Sequence, residues 1–315
     1  NVFTRCQAEN VEYLILASGH PSLITKVHTF PNIPGTSLTP YDVAGSKEIR
    51  NLLERYSPNL VAERLLVPFE AIDIDLHKQL GMDEGKFAPV FQGTFRCTPV
   101  AVKVFSFDKK QRGDFYVKFM HEVGLMGSLH HRNLCLVEAA AIDQYKFALV
   151  MELMQKSLKG YIDTLHAKDS YIPLAELKRI SMDICRGMIA LHSNDPPIIH
   201  CDLKAANILL DDSNNAKITD FGISKFAFVG KGLAFSETLP PGFDINTHSY
   251  TVLEDVYAFG LCLLTMVICT VPNVYTYYLA HLNLYCSKDV GAIISKCCDA
   301  VAENRFQSFA EVLHA

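Results

Sequence analysis

The sequence predicts an α+β fold, with strands mainly in the first half of the chain and helices in the second. Two observations indicate the strands: residues 100–105 alternate as a half-buried strand does, and residues 146–153 form a second strand-like run. Two more indicate the helices: residues 174–193 are amphipathic, and residues 256–271 form a long apolar run. At 315 residues the chain is long enough for two domains, or for one two-lobed domain with an extension.

Composition and charge restrict the function classes. The formal net charge is -5 and no dense run of Lys or Arg occurs, so we expect no nucleic-acid partner. Ten cysteines are scattered without a CxxC pair or a His/Cys cluster at zinc spacing. Several of them, such as Cys135, Cys185 and Cys262, stand among apolar residues, which favours buried free thiols. Free thiols indicate a reducing compartment, so we expect a cytoplasmic (intracellular) location.

Residues 1–56 differ in pattern from the rest of the chain. Residues 10–19 have apolar side chains at helical spacing and end in glycine, and a Thr-Pro pair opens a second helical stretch at 39–56. The TPxxxA start and the paired helices resemble an ankyrin repeat, with about one and a half repeats present. This resemblance implies a protein partner for the segment, whereas the alternative is an ordinary helical extension. Residues 57–69 are expected to be a linker.

A group of polar residues near the middle of the chain indicates the chemistry. Residues 200–207 are HCDLKAAN, and DFG follows at 220–222. Asp202 can orient an attacking hydroxyl and accept its proton, and Lys204 can neutralise charge on a transferred phosphoryl group. Asn207 and Asp220 supply the hard oxygen ligands that Mg²⁺ prefers. The spacing of these groups therefore indicates phosphoryl transfer.

The HxDLKxxN and DFG pair resembles the catalytic loop and the magnesium loop of protein kinases. The resemblance covers about residues 70–315 and implies a two-lobed kinase fold, with a small β-rich lobe at about 70–153 and a mainly helical lobe at about 154–315. It also implies ATP and Mg²⁺ as cofactors and proteins as substrates. The last helices resemble those of the tyrosine-kinase-like (TKL) group, which mostly phosphorylates serine and threonine, and Lys204 is the residue type expected for that specificity.

Motifs upstream extend the resemblance. Residues 100–105 resemble the VAIK strand, which implies that Lys103 holds the phosphates of ATP and that Glu122, on a following helix, holds Lys103. The alternative is that both are unrelated surface residues. Residues 80–90 resemble the hairpin that covers the phosphates, and Gly85 fits its pattern although the flanking glycine positions hold other residues.

The resemblance also implies how the adenine ring would be held. Met151 would lie behind the ring, and the backbone from Glu152 to Met154 would supply its hydrogen bonds. The apolar residues enclosing its two faces would be Val90, Ala101 and Leu209. Apolar residues in strands are explained equally well as core, so these three also fit a purely structural role.

Three features depart from the kinase pattern. Cys201 replaces the arginine that usually pairs with a phosphorylated activation loop, so we expect different regulation. Residues 238–243 lack the glutamate of the APE triplet, so we expect Arg305 to pair with Asp244 or to be solvated. About 17 residues join the central helix to the later helices, which shortens the region that usually docks substrates.

The apolar run at 256–271 has two interpretations. It lies in a stretch without Asp, Glu, Lys or Arg, which is compatible with a membrane span. Its start, DVYAFG at 255–260, instead resembles the kinase element that opens a buried helix, and Pro272 ends the run after about 16 residues, short for a bilayer. We therefore expect a buried helix and no membrane span.

Two functions are left open by the sequence. An ATP-dependent serine/threonine protein kinase is favoured because all six polar positions hold suitable residues: Lys103, Glu122, Asp202, Lys204, Asn207 and Asp220. A catalytically inactive pseudokinase scaffold is favoured by the altered hairpin, the lost APE triplet and the shortened large lobe.

Overall fold

The small lobe is built on one six-stranded sheet. The computed structural model describes residues 28–29, 37–38, 58–80, 88–107, 112–143, 146–195, 197–220, 239–240, 250–272 and 274–315. Two short strands, β1 (His28–Thr29) and β2 (Ser37–Leu38), form an antiparallel pair upstream of the lobe. The strands of the large sheet are β3 (Leu66–Val67), β4 (Ile72–Leu80), β5 (Val90–Phe95), β6 (Thr98–Ser106), β7 (Val137–Ile142) and β8 (Lys146–Glu152), in the order β3-β7-β8-β6-β5-β4.

Strand β6 is buried on both faces, and the expectation of a half-buried strand is therefore wrong. Val100, Val102 and Val104 pack into a cluster on one face of the sheet. Phe105 belongs to a second cluster on the other face, together with side chains of a long helix, α2 (Arg112–Ser128). Because side chains alternate along a strand, this second face is also the one that carries Lys103.

Phenylalanine rings fix helix α2 to the sheet. Neighbouring ring centroids lie between 4.5 and 5.7 Å apart, at the offset and edge-on angles that aromatic pairs prefer. The rings belong to Phe105, Phe107, Phe115, Phe119 and Phe147. Helix α2, and the glutamate expected on it, is thus positioned by hydrophobic packing against β6 and β8.

The stretch expected as a linker is ordered instead. Helix α1 (Pro58–Leu65) leads directly into strand β3, which pairs in parallel with β7. Proline at the first helical position suits a helix start, and Val61 and Leu65, four residues apart, share one face. The domain boundaries assigned from the sequence stay a prediction. The ankyrin-like interpretation of residues 1–56 lies outside the described residues, apart from the short pair β1 and β2.

The large lobe is mainly helical, as predicted. Its elements are β9 (Lys156–Ser157), α3 (Leu158–His166), α4 (Leu174–His192), β10 (Ile208–Leu210), β11 (Ala216–Ile218), α5 (Val252–Ile268), α6 (Tyr275–Ala280), α7 (Lys288–Cys297) and α8 (Phe309–His314). The three short strands form a separate antiparallel sheet in the order β11-β10-β9. The predicted helix at 174–193 corresponds to α4.

Helix α5 is the buried centre of the large lobe. Almost every side chain from Glu254 to Ile268 is buried, and the helix ends at Cys269, whose φ of 54° is left-handed. A Cβ atom at Gly260 would lie 2.5 Å from Cys298 Sγ, so glycine permits the close approach of α7. None of the helices in the described ranges combines the length and the apolar character that crossing a bilayer requires. The apolar run is therefore core.

The turn between β5 and β6 has an unusual composition. Arg96 and Cys97 both adopt left-handed backbone conformations, with φ values of 49° and 64°. Two-residue hairpin turns with positive φ at both positions usually contain Asn or Gly. The Cys97 side chain is exposed at this turn.

Candidate active site

Asp255 at the start of α5 holds the backbone of the loop that carries Asp202. Its buried carboxylate accepts hydrogen bonds from the backbone N–H groups of His200 (2.8 Å) and Cys201 (3.0 Å). His192 Nε2, from the end of α4, lies 2.9 Å from the same carboxylate. Cys201 has a left-handed φ of 67°, a strained conformation that these bonds fix.

The His200 ring joins this loop to the strand that precedes Asp220. The backbone N–H of Asp202 donates to His200 Nδ1 at 3.2 Å, so Nδ1 is unprotonated. Nε2 therefore carries the proton and donates to the carbonyl of Thr219 at 3.0 Å. With the ring fully buried, this neutral tautomer fixes Asp202 and Asp220 relative to each other.

The Asp202 carboxylate is oriented through one of its two oxygens. Oδ2 lies 2.9 Å from Lys204 Nζ and accepts a hydrogen bond from Asn207 Nδ2 at 2.9 Å. In the part of the chain that the structure describes, no donor contacts Oδ1. Oδ1 is therefore available to accept a proton from a hydroxyl group.

The side-chain oxygens of Asn207 and Asp220 are of the chemical type that a magnesium ion binds. Asn207 Nδ2 donates to both the carbonyl and the carboxylate of Asp202, which fixes the amide nitrogen on that side and turns Oδ1 away from it. Asp220 adopts a left-handed φ of 60° immediately after the buried Thr219. An amide oxygen and a carboxylate are the hard ligands that Mg²⁺ takes alongside phosphate oxygens.

The ammonium of Lys103 is ion-paired with Asp220 and not with Glu122 within the described ranges, so the expected contact between Lys103 and Glu122 is not formed. Lys103 Nζ lies 2.7 Å from Asp220 Oδ1. Burial by itself lowers the pKa of Lys103, but attraction by Asp220 and Glu122 outweighs it and leaves this pKa raised. The Lys103 side chain thus tethers β6 to Asp220 of the large lobe.

Glu122 is buried in the small lobe without a complete set of partners. Its Oε1 atom has no hydrogen-bond partner. Burial raises the pKa of Glu122 to about 8, although Lys103 nearby opposes this shift. Within the described residues Glu122 therefore makes no ion pair with Lys103, although each of the two groups shifts the pKa of the other.

The residues expected around the adenine ring lie in adjoining strands. Val90 pairs with Lys103, and Ala101 pairs with Met151, which is buried. Leu209 lies on β10 of the large lobe. The backbone N–H and C=O of Met154 make no hydrogen bond to other described residues. Gly85 lies outside the described residues.

Glu152 has a contact that sequence reasoning missed. Its carboxylate lies 2.6 and 2.8 Å from Lys217 Nζ and accepts the backbone N–H of Leu136 at 2.7 Å. Lys217 lies on β11, three residues before Asp220. Strand β8 is therefore tied to β11, the strand that leads to Asp220, and no periodic pattern in the sequence signals this link.

Comparison with known families decides the identity of the fold. The family model for protein tyrosine and serine/threonine kinases matches residues 74–315. The chain belongs to the protein kinase family. Family membership in general implies use of ATP and a divalent metal ion and action on proteins.

Named kinases from several organisms are similar to this one. A protein named as a probable serine/threonine-protein kinase of Dictyostelium discoideum is 30% identical over 269 residues, which are 82% of this chain and 26% of that protein. The calcium/calmodulin-regulated receptor-like kinases 1 and 2 of Arabidopsis thaliana are 35% and 32% identical over 58% and 61% of this chain. The matched part of this chain spans 42% and 44% of the lengths of those two proteins. It therefore covers less than half of each of these relatives.

Arg305 of this kinase is neither solvated nor unpaired. The guanidinium is buried, and its Nη1 lies 3.5 Å from Glu254 Oε1. Nε donates to the carbonyl of Asp299 at 2.8 Å, and the group stacks over the ring of Tyr257 at 5.1 Å. The expectation that Arg305 is solvated is thus wrong, and Asp244 lies outside the described residues.

Glu254 carries a second role at the start of helix α5. Its Oε2 accepts the backbone N–H of Thr251 at 2.7 Å, and Thr251 Oγ1 caps the helix in return. Such a capping box is visible in the sequence as Thr-x-x-Glu before an apolar run, a signal that could have identified Glu254. In this kinase the carboxylate that faces Arg305 thus belongs to Glu254, in the first turn of helix α5.

Proposed function

We propose that this chain transfers the γ-phosphoryl group of ATP to serine and threonine hydroxyls of protein substrates. The proposal depends on the contacts of the Asp202 carboxylate. Its Oδ2 atom is held by Lys204 and Asn207, and its Oδ1 atom is left for a substrate hydroxyl. Lys204, two residues after Asp202, supports serine/threonine rather than tyrosine specificity, and the similar Dictyostelium protein is named a serine/threonine kinase.

The proposed step follows from these positions. The substrate oxygen attacks the γ-phosphorus, its proton passes to Asp202 Oδ1, and the bond between the phosphorus and the ADP oxygen breaks. Lys204 stabilises negative charge on the transferred group, and Lys103 holds the phosphates. Asn207 and Asp220 would hold a magnesium ion, which would neutralise charge at the phosphates. Met154 positions the adenine through its backbone, with Val90, Ala101 and Leu209 on its faces.

The finer assignments belong to the same proposal. The C-terminal helices support membership of the TKL group, and residues 1–56 support an ankyrin-like segment that binds a protein partner. An intracellular location is supported by the nine cysteines of the described residues, which are all free thiols.

A transfer assay with purified chain tests the proposal. Mg-ATP is supplied with the chain alone and with a generic basic protein, and Asp202→Asn is compared with Asp212→Asn, a substitution at an exposed carboxylate. We expect Asp202→Asn to lower the rate about a hundredfold or more, because a general base contributes on that scale. Asp212→Asn should leave the rate unchanged. Equal rates in both variants would refute the role of Asp202.

The second candidate function is a nucleotide-binding scaffold. It is favoured by one observation: Lys103 is not paired with Glu122. For such a scaffold, Mg-ATP would raise the melting temperature of the unchanged chain. The unchanged chain and the Asp202→Asn variant would both transfer no phosphate.

A further inference from the structure

Helix α1 fills a notch in helix α2. Gly127, close to the C-terminal end of α2, leaves a space that Leu65 and Val61 of α1 occupy. A Cβ atom at position 127 would overlap Leu65 Cδ1 and would lie 3.2 Å from Val61 Cγ1. Ala62, beside them, is fully buried. The distance between the two helices is therefore set by the sizes of these few residues.

Strand β3, which follows helix α1 directly, anchors the C-terminal end of that helix to the sheet. Leu66 and Val67 follow α1 directly and pair in parallel with Ala140 and Ala141 of β7. Ala62 packs in the same core cluster as Phe119 and Met126 of α2, whereas Val67 packs on the opposite face of the sheet. Since β3 is hydrogen-bonded into the sheet, α1 gives α2 a fixed support rather than a loose contact.

The element lies upstream of the part of the chain that matches the kinase family. That match begins at residue 74, whereas α1 ends at Leu65 and β3 at Val67. Helix α1 and strand β3 are thus additions to the matched domain, although Ala62 is fully buried in the small lobe and β3 is hydrogen-bonded into its sheet.

Helix α2 also carries Glu122, about one and a half turns before Gly127. Glu122 is buried on α2 with Oε1 unpaired, while the ammonium of Lys103 rests on Asp220. The distance from Glu122 to Lys103 depends on where α2 lies along the sheet. Contacts that fix α2 therefore also fix this distance.

We propose that α1 and β3 form a positioning element for α2, which sets the place of Glu122 and, through it, the orientation of Lys103 during phosphoryl transfer. The catalytic part of this inference rests on the proposed function. Val61, Leu65 and Gly127 are positioning residues, because they act through α2 and the side chain of Glu122.

A double-mutant cycle in the full chain tests the element. Leu65→Ala empties the notch, and Gly127→Ala overfills it when Leu65 is present. Combining the two returns a methyl group to the space that the leucine left, so the effects should be strongly non-additive. Any gain in helix propensity from Gly127→Ala is the same in both backgrounds and cancels in the cycle. Leu165→Ala, at a partly buried leucine of α3 in the large lobe, is the matched control.

Two readouts are taken for each variant. For Leu65→Ala we expect hydrogen exchange in α2 to accelerate about tenfold or more. We expect kcat for transfer to fall about tenfold with a smaller change in KM for ATP, because the Lys103 contacts matter most in the transition state. The combined variant should recover most of both changes, and Leu165→Ala should change neither.

Either readout can overturn the inference. Equal effects of Leu65→Ala and Leu165→Ala, or additive effects in the cycle, would show that α1 does not position α2 for catalysis. If the wild-type chain transfers no phosphate, the proposed function fails separately and hydrogen exchange decides the inference. Accelerated exchange in α2 that Gly127→Ala reverses then supports it, and unchanged exchange refutes it.

Discussion

The buried pair of Glu254 and Arg305 supports a quantitative prediction about stability. Glu254→Gln keeps the shape of the side chain and an oxygen that can still accept the backbone N–H of Thr251. The change therefore removes mainly the negative charge opposite Arg305. Both side chains are almost fully buried, so water cannot replace the lost charge without rearrangement.

The magnitude follows from the contacts that Arg305 keeps. Leaving a buried charge without its partner costs about 3–5 kcal/mol. Arg305 retains the carbonyls of Asp299 at 2.8 Å and Leu253 at 3.2 Å, and its 3.5 Å separation from Glu254 is longer than a strong charge-assisted bond. We therefore expect Glu254→Gln to lower the free energy of unfolding by about 2–3 kcal/mol. For a domain of this size that corresponds to a loss of about 5–10 °C in melting temperature.

Urea denaturation followed by far-UV circular dichroism measures this loss, since the sequence has no tryptophan to serve as a fluorescent reporter. Glu303→Gln, at an exposed carboxylate close in sequence to Arg305, is the matched control. A cycle with Arg305→Met should give a coupling of about 2 kcal/mol. If Glu254→Gln and Glu303→Gln unfold at the same urea concentration, or if the cycle is additive, the pair does not replace the lost APE contact.

Two further predictions concern the small lobe and the hinge. Because burial raises the folded-state pKa of Glu122 from 4.5 to about 8, the folded chain keeps a proton that the unfolded chain releases. The free energy of unfolding should therefore fall as pH rises from about 4.5 to about 8, and Glu122→Gln should remove this fall. Thermal denaturation across that range checks it, and parallel pH profiles of the two proteins would contradict it. Lys217→Met removes the ammonium from Glu152, and since both side chains are partly exposed we expect a loss of about 1 kcal/mol or less by urea denaturation. Lys178→Met, at an exposed lysine of α4, should cause no loss; equal results for the two would show that the link to the hinge has no energetic weight.

Motif chemistry and periodicity were sufficient for the elements that carry the site. The alternation around Lys103 predicted β6, and the amphipathic pattern at 174–193 predicted α4 within a residue of its observed bounds. The spacing of Asp202, Asn207 and Asp220 predicted a group that the structure brings together through His200 and Asp255. These features are visible in sequence because each depends on residues close together in the chain or on a fixed motif.

The features that sequence analysis missed depend on tertiary contacts. Helix α1 is eight residues long, too short for its periodicity to stand out from a linker, and its contact with Gly127 is a tertiary one. The partner of Arg305 lies 51 residues away in the sequence, on helix α5. The placement of Lys103 on Asp220 rather than Glu122 depends on how α2 sits on the sheet, which no local pattern records.

The turn between β5 and β6 provides a site for a spectroscopic probe. Among the nine cysteines in the described ranges, Cys97 is the exposed one. Burial raises the pKa of Cys135, Cys262 and Cys297 to about 12 and keeps them as unreactive thiols. Once Cys6, which lies outside those ranges, is replaced by serine, a thiol-directed dye should attach first to Cys97. A fluorophore there would test whether the surroundings of this turn change when Mg-ATP is added, without any engineered cysteine.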